Sequence, residues 1–321
     1  MTQIVASSDT VLQAGVEVWR GGVHTWECDE MGHMNVRFYV VRASEGLAGL
    51  AGELGMAHAF SSRAGSTLRV LDHHIRFLRE VRPSTALHMI GGVVEMGETE
   101  ARLLFTLIHS ATNEPAASFQ ILVSHVTPGA GRAFPWPQAV RERAGRLVTP
   151  IPAYAAARSL SLAPVRIDAS LTRADALGLS TITAGALGPR DCDVFGRMNA
   201  EGFIGRIADG VGLMGKTLGA IVARHTPSPP LRLGAAALEY RMVHLEWPRA
   251  GDRLVIRTAL TGANDRTLRL AHWMLDPESG APWGVAEEIL ASLDLDTRKI
   301  VPITAAAQAI LAPMMTPEIG F

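Results

Sequence analysis

The chain has 321 residues, of which 48% are hydrophobic and 19% are charged. This composition can supply a sizeable buried core and excludes an intrinsically disordered chain. The formal net charge of −1 excludes the strong overall field that attracts nucleic acid or an anionic membrane surface, so we expect neither as a partner.

The beginning of the chain, MTQIVASSDT, lacks both the basic residues and the apolar stretch of a secretory signal. No apolar run reaches the length of a membrane span. Cys28 and Cys192 leave one disulfide possible, but two isolated cysteines do not make a stapled secreted scaffold. We therefore expect a soluble, cytoplasmic protein.

The predicted elements of the first half begin with a strand at residues 16–26, which are rich in Val, Trp and Thr. A turn follows, and residues 36–56 then place apolar side chains at roughly helical spacing. Turn signals such as RPS (82–84) and NEP (113–115) divide the rest into strands. The predicted strands cover residues 68–78, 86–96, 101–108 and 117–126.

The second half shows the same order of elements after a segment rich in Pro, Ala and Arg, in which residues 138–146 suggest a short helix. A helix is predicted at residues 200–218, and strands at 233–243, 253–261, 268–275 and 285–295. We expect domains at residues 10–128 and 171–300, a linker at 129–170, and a tail at 301–321 that packs as a short helix.

An internal sequence repeat explains why both halves have the same order of predicted elements. The segment ECDEMGHMNVRFY (27–39) matches DCDVFGRMNAEGF (191–203), with an offset of 164 residues (193 − 29). Farther on, IRFLREVRPS (75–84) is matched to YRMVHLEWPR (240–249) with an offset of 165 residues, which suggests a single-residue insertion. Two equivalent halves are the simplest interpretation.

A stretch in the second half, GVGLMGKT (210–217), fits the G-x-x-x-x-G-K-[ST] pattern of phosphate-binding loops. Such a loop must follow a buried strand and open a helix. The repeat instead places the stretch inside the predicted helix, opposite GLAGLAGE (46–53) of the first half. We therefore interpret its glycines as small residues on a closely packed helix, and the nucleotide hydrolase class becomes a remote alternative.

Each half thus consists of a strand, a helix and four further strands, and the short turns between the strands imply antiparallel pairing. This arrangement resembles the hotdog fold, and the motif ECDEMGHMN (27–35) is similar to that of thioesterases of the 4-hydroxybenzoyl-CoA thioesterase type. The resemblance implies an α+β chain of two tandem hotdog domains. Each would wrap an antiparallel sheet around a central helix, and together they would form an intrachain pseudo-dimer.

The first motif also resembles that of plant acyl-carrier-protein thioesterases, which are themselves double hotdogs. Asp29, His33 and Asn35 match that motif, and Glu45 falls six residues after Tyr39, as it does in those enzymes. Met31 stands where those enzymes carry a catalytic asparagine, which departs from the carrier-protein pattern.

Thioester hydrolysis needs a group that attacks or activates water, and donors that hold the developing oxyanion. The resemblance implies that Asp29 is the general base or nucleophile, that His33 and Asn35 orient water or substrate, and that Glu45 assists. The helix N-terminus, with the N–H groups of Val36 and Arg37, would supply the oxyanion donors. A structural alternative is that Asp29 and Asn35 only cap the helix and that His33 is a hydrogen-bonded structural histidine.

The second motif differs, because Arg197 replaces His33 and Phe203 replaces Tyr39. Asp193 and Asn199 remain as a possible second site, but we favour the first motif because its Gly-His-Met-Asn is intact. In paired hotdogs the sites lie between the two halves.

Three function classes follow from the resemblance. We favour an acyl-CoA thioesterase, with Tyr39 and Arg76 among the substrate-binding residues, and we expect no cofactor and no metal site. Alternatives are a non-catalytic acyl-CoA-binding protein and an acyl-carrier-protein thioesterase. The expected partner is acyl-CoA or another acyl thioester, and association of double-hotdog units into a homo-oligomer stays open.

Overall fold

The structure is a computed structural model that describes residues 15–230 and 232–320. The N-terminal decapeptide, residues 10–14 of the predicted first domain and the last residue of the predicted tail lie outside the described residues. The first-half elements are β1 (Val16–Gly22), α1 (Val36–Glu53), β2 (Thr67–Phe77), β3 (Ala86–Met96), β4 (Glu100–His109) and β5 (Glu114–Val126).

The elements that follow begin with two short helices, α2 (Gln138–Ala144) and α3 (Leu171–Ala176). The second half then consists of β6 (Ser180–Ala186), α4 (Ala200–Arg224), β7 (Leu233–His244), β8 (Arg253–Ala263), β9 (Leu268–Leu275) and β10 (Pro282–Asp294). A two-residue strand, β11 (Lys299–Ile300), and helix α5 (Ala305–Leu311) complete the described chain.

The described strands form one antiparallel sheet in the order β1-β3-β4-β5-β2-β7-β10-β9-β8-β6, with β11 paired to β10. Strands β2 and β7 pair at its centre, from Asp72 opposite Val243 to Arg76 opposite Glu239. Helices α1 and α4 contact each other, and their apolar residues share one core with both halves of the sheet. The predicted double hotdog fold is therefore confirmed.

The helices and strands lie close to their predicted bounds. Strands β3 and β9 begin and end where the sequence pattern placed them, whereas β1 ends earlier because a 3₁₀ turn begins at Thr25. Helix α1 ends at Glu53, since Gly55 adopts a φ of +87° that stops the helix. Within residues 15–230 and 232–320, no helix is long and apolar enough to cross a membrane.

The stretch GVGLMGKT lies within α4, so its prediction as helix is confirmed. Its first glycine, Gly210, faces β6 so closely that an added Cβ would clash with the Ile182 carbonyl oxygen. The equivalent helix of the first half approaches β1 in the same way, since a Cβ on Gly49 would clash with the Val18 carbonyl oxygen. Gly210 and Gly49 therefore allow each helix to pack against the outermost strand of its half-sheet. For Gly212 and Gly215 the expectation of close packing is wrong, because an added Cβ there would meet no atom of the described residues within 4 Å, other than the adjoining backbone of α4.

Between its motif and the end of β7, the second half has more additional residues relative to the first half than the sequence match suggested. The Met34 amide donates to the Val81 carbonyl oxygen at 2.8 Å, and the equivalent Met198 amide donates to the Pro248 carbonyl oxygen at 2.7 Å. Val81 and Pro248 are 167 residues apart (248 − 81), so the predicted offset of 165 is wrong. The correct offset makes Trp247 the counterpart of Glu80.

The segment between the halves crosses the central strand pair on the sheet face opposite the helices. The backbone amides of Arg158 and Ser159 donate to the Glu239 carboxylate at 2.9 and 2.8 Å. Beside them, Arg241 donates to the carbonyl oxygens of Ser161 and Ala163. These bonds tie the segment to charged side chains that are buried at the junction of the halves.

Candidate functional site

The first motif folds into a closed turn that fixes Asp29 just ahead of α1. The Asp29 Oδ1 atom accepts hydrogen bonds from the backbone amides of Met31 at 2.9 Å and His33 at 3.1 Å. The Asp29 amide donates to the His33 carbonyl oxygen at 2.8 Å, and Gly32 closes the turn with a φ of +75°. Since both bonds from the turn go to Oδ1, the second oxygen, Oδ2, has no partner among the described residues.

Asp29 lines a cavity of about 230 Å³, which we call the first-motif cavity. Its walls come from both halves, because β7 contributes Ala235 to Leu238 opposite the motif. The full lining is Asp29, Met31, His33, Met34, Val36, Tyr39, Phe77, Leu78, Arg79, Glu80, Ala235, Ala236, Ala237, Leu238 and Leu293. The cavity thus lies between the two halves, where the resemblance leads us to expect a site.

His33 lies beside Asp29 in this cavity, close to Glu80, a residue that the sequence pattern did not single out. Its Nε2 atom lies 3.3 Å from a carboxylate oxygen of Glu80. Glu80 also pairs with Arg82 at 3.4 Å and with Arg298 of the second half at 3.2 Å. The correct repeat offset would have flagged Glu80, because the other half carries Trp247 at that place.

Of the two backbone N–H groups expected as donors at the N-terminus of α1, one lacks a hydrogen-bond partner among the described residues. Asn35 is the N-cap, and its side chain accepts a hydrogen bond from the Arg37 amide at 3.0 Å. The prediction of the Arg37 N–H as an oxyanion donor is therefore wrong, and its guanidinium pairs with Asp209 at 2.7 Å. The Val36 N–H has no hydrogen-bond partner among the described residues, and Val36 lines the first-motif cavity.

Tyr39 lies in the wall of the first-motif cavity and is buried. Its ring meets Phe77 edge-on, with ring centroids 5.1 Å apart. Burial strongly raises the pKa of its hydroxyl, and the nearby Asp29 adds to the shift. The phenol therefore stays neutral and forms a rigid part of the wall.

Two predicted site residues lie elsewhere. Glu45 pairs with Arg42 at 3.0 Å and lines a different cavity, because α1 turns this part of its surface toward the second motif. Arg76 donates to the Ala156 carbonyl oxygen at 2.8 Å and so holds the segment between the halves. Glu45 was expected to assist catalysis, but it does not line the cavity of Asp29, and neither does Arg76.

The second motif forms the same turn but uses its aspartate differently. Asp193 Oδ1 accepts from the amides of Phe195 at 2.8 Å and Arg197 at 3.0 Å. Its Oδ2 accepts from Arg197 Nε at 3.2 Å and Nη2 at 3.0 Å. Both carboxylate oxygens of Asp193 are thus occupied by hydrogen bonds from within the motif.

A second cavity, of about 390 Å³, lies beside this motif, and we call it the second-motif cavity. Motif residues and residues of α1 and β2 line it together: Val41, Ser44, Glu45, Leu47, Ala48, Phe60, Leu68, Arg69, Val70, Asp193, Val194, Arg197, Met198, Asn199, Ala200, Glu201 and Trp247. The two cavities occupy equivalent places in the repeat, but the His33–Glu80 pair of the first is replaced by Arg197 and Trp247 in the second.

The acidic, histidine and cysteine side chains show whether a metal site or a disulfide is present among the described residues. In the part of the chain that the structure describes, no group of three or more His, Cys, Asp or Glu side chains is placed to hold a metal ion. Cys28 and Cys192 are free cysteines, so they do not form the disulfide that the sequence left possible.

Solved structures with the same fold cover both halves. The chain is similar to a Lactobacillus plantarum protein assigned as an oleoyl thioesterase, with 10% identity, a TM-score of 0.65, and coverage of 88% of this chain and 98% of that one. For an acyl-ACP thioesterase from Bacteroides thetaiotaomicron the identity is 10% and the TM-score 0.62, with coverage of 85% of this chain and 96% of that one. For the 12:0-ACP thioesterase from Umbellularia californica the identity is 13% and the TM-score 0.65, with coverage of 85% of this chain and 93% of that one. At these identities the similarity shows a shared fold.

The sequence itself matches a family model over both halves. The model of the Thioesterase-like superfamily matches residues 23–144 and again residues 187–311, which together are more than half of the chain. No curated protein sequence gives a significant match. The two family matches each contain one of the repeated motifs, so this chain belongs to the Thioesterase-like superfamily and is a thioester hydrolase built as a double hotdog.

Proposed function

We propose that the chain is an acyl-CoA thioesterase in which Asp29 acts as the general base at the first-motif cavity. One observation carries this proposal: Asp29 has an unoccupied carboxylate oxygen beside a cavity, whereas Arg197 occupies the corresponding oxygen of Asp193. A base must reach the proton that it removes, and of the two motifs only the first has an aspartate oxygen that is free of partners among the described residues.

In the proposed step, a water molecule attacks the thioester carbonyl carbon while Asp29 Oδ2 takes its proton. The carbonyl oxygen becomes an oxyanion, which the Val36 N–H and the positive end of α1 stabilise. The tetrahedral intermediate then expels the thiolate as the carbon–sulfur bond breaks, and the proton held by Asp29 passes to the sulfur. The products are a free carboxylic acid and CoA.

His33 and Glu80 orient the water in this proposal. Glu80 lies beside His33, with a carboxylate oxygen 3.3 Å from Nε2. The side chain of His33 is largely buried, which restricts the ring further. Both residues belong to the cavity lining, so we assign them positioning roles next to the proposed base.

Arginines near the first-motif cavity support a phosphate-bearing substrate. Arg79 lines the cavity, and Arg82 and Arg298 both contact Glu80 at its edge. Arginine forms strong, charge-assisted hydrogen bonds with phosphate oxygens. The phosphates of CoA fit this surface, and so does the phosphopantetheine arm of an acyl carrier protein.

The carrier-protein alternative is supported by two of the similar structures, which are named as acyl-ACP thioesterases. The two substrates are distinguished by offering one acyl group both as its CoA ester and as its carrier-protein ester. We expect kcat/KM to be higher for the CoA ester over a panel of short, medium, long and aromatic acyl groups. A higher value for the carrier-protein esters would select the alternative, and turnover of neither would contradict both.

Replacing Val36 with Pro tests the oxyanion donor. Val36 is the first residue of α1, where proline is well tolerated, and Asn35 already has the extended backbone that a following proline requires. The change removes one N–H, and we expect kcat to fall by about 10²–10³-fold, as it does when one oxyanion donor is lost.

The matched control for this prediction is Ala200→Pro at the first position of α4. We expect it to leave kcat within about twofold, because the second motif is not hydrolytic in our proposal. Steady-state release of CoA measures both variants. Equal losses for the two, or no loss for Val36→Pro, would exclude the assigned role of the Val36 N–H.

A further inference from the structure

The second-motif cavity contains a buried cation with a free hydrogen-bonding group. Arg197 is 8% exposed and lines this cavity. Its Nε and Nη2 atoms bind Asp193, but Nη1 is buried without a hydrogen-bond partner among the described residues. Buried polar groups are nearly always satisfied, so this nitrogen indicates a missing acceptor.

The N-terminus of α4 points to the same conclusion. Asn199 is its N-cap, but its side chain makes no capping hydrogen bond, in contrast to Asn35 at α1. Helix α4 is 25 residues long, and Asn199, Ala200 and Glu201 at its start line the cavity. A helix N-terminus favours negative charge, so it adds to the attraction of Arg197 for an anionic acceptor.

The rest of the lining is largely apolar. Phe60, Leu68, Val70 and Trp247 form walls beside the polar end. The volume of about 390 Å³ falls within the range of small-molecule sites and exceeds that of the first-motif cavity. A ligand that fits this lining combines one acceptor group with an apolar body.

Two acidic residues of the cavity do not oppose an anionic ligand strongly. Glu45 pairs with Arg42, which also pairs with the buried Glu27, and its side chain is 44% exposed, so water screens its remaining charge. Burial raises the pKa of the Glu201 carboxyl, and the nearby Glu45 adds to the shift while Arg37 reduces it. A protonated Glu201 would donate a hydrogen bond to an acceptor, as neutral carboxylic acids do.

We propose that the second-motif cavity is a non-hydrolytic binding site for an aliphatic carboxylate, with the carboxylate on Arg197 Nη1 and the α4 N-terminus. The apolar tail lies between Phe60, Leu68 and Trp247. The site does not depend on catalysis, but the proposed function supplies the ligand, because hydrolysis of an acyl thioester releases such an acid. The chain would then bind its own class of product away from the cavity that forms it.

Calorimetric titration with octanoate tests the proposal, with octanol as the uncharged match. Arg197→Lys keeps a cation beside Asp193 but removes Nη1, and we expect octanoate to bind at least about 10-fold more weakly, as for a lost hydrogen bond to a charged group. Ala48→Phe, at an exposed position of α1 that lines the cavity, should weaken binding by filling the space. Arg146→Lys, at an exposed position outside that lining, is the matched control and should bind octanoate like wild type.

Three outcomes would overturn the proposal. Octanoate could bind Arg197→Lys and wild type equally, octanol could bind as tightly as octanoate, or Asp29→Asn alone could abolish octanoate binding, which would place the ligand in the first-motif cavity. Thioester hydrolysis is measured separately on the same variants. Failure of hydrolysis with the expected octanoate results would contradict only the proposed function, and the reverse would contradict only this site.

Discussion

Replacing Asp29 with Asn is expected to lower kcat by about 10²–10⁴-fold, the contribution of a positioned general base. Asparagine keeps the Oδ1 acceptor for the amides of Met31 and His33, so the turn before α1 should persist. Only the proton acceptor at Oδ2 is lost. We therefore expect KM to change little, because the cavity walls stay as they are.

The measurement is steady-state release of CoA thiol, with thermal unfolding recorded to show that the variant folds. The control is Asp193→Asn, which removes charge at the equivalent place in the second motif. It should keep kcat within about twofold, although the loss of a charged partner for the buried Arg197 lowers stability. A large loss of kcat in Asp193→Asn, or no loss in Asp29→Asn, would contradict the assignment of hydrolysis to the first motif.

Replacing Asp72 with Ala is expected to destabilise the protein by about 3–5 kcal/mol, as for removal of one partner of a buried ion pair. Asp72 Oδ2 accepts from both Nε and Nη2 of Arg241, at 3.0 and 2.7 Å. The side chains of Asp72 and Arg241 are only 10% and 4% exposed, so the guanidinium would lose its carboxylate partner without gaining water. Its bonds to the carbonyl oxygens of Ser161 and Ala163 would remain. The pair joins β2 to β7, and its loss weakens the junction between the halves.

Chemical denaturation of the full chain measures this effect as a change in unfolding free energy. The control is Glu114→Ala, which breaks the ion pair with Arg79 on the surface, where each side chain is nearly half exposed. An exposed pair contributes about 0–1 kcal/mol, so this variant should remain close to wild type. Equal changes in unfolding free energy for the two variants would show that the buried pair at the junction stabilises the protein no more than a surface ion pair.

The fold could be predicted because the signals for its helices, strands and turns are local in sequence within each half. Each motif precedes its helix directly, and the apolar spacing of α1 and the turn signals between strands depend on neighbouring residues. The alignment of the β2 sequence with the β7 sequence was harder to predict, because few residues are identical there. The hydrogen bonds to the carbonyl oxygens of Val81 and Pro248 reveal the true offset between the halves.

The candidate site was predicted less completely, because its contacts cross the chain. Glu80 reaches His33 from the end of β2, and Glu45 lies beside the other motif because α1 and α4 pack against each other. The Arg37 N–H was lost to Asn35, since a capping side chain competes for the same amides as an oxyanion. No sequence pattern decides between those two acceptors.

A crystal structure with a non-hydrolysable acyl-CoA analogue tests most directly whether the first motif is the hydrolytic one. We expect the carbonyl group that replaces the thioester to lie in the first-motif cavity, with its oxygen within hydrogen-bond distance of the Val36 N–H and its carbon facing Asp29 Oδ2. A carbonyl group bound instead beside Asp193 in the second-motif cavity would contradict this assignment.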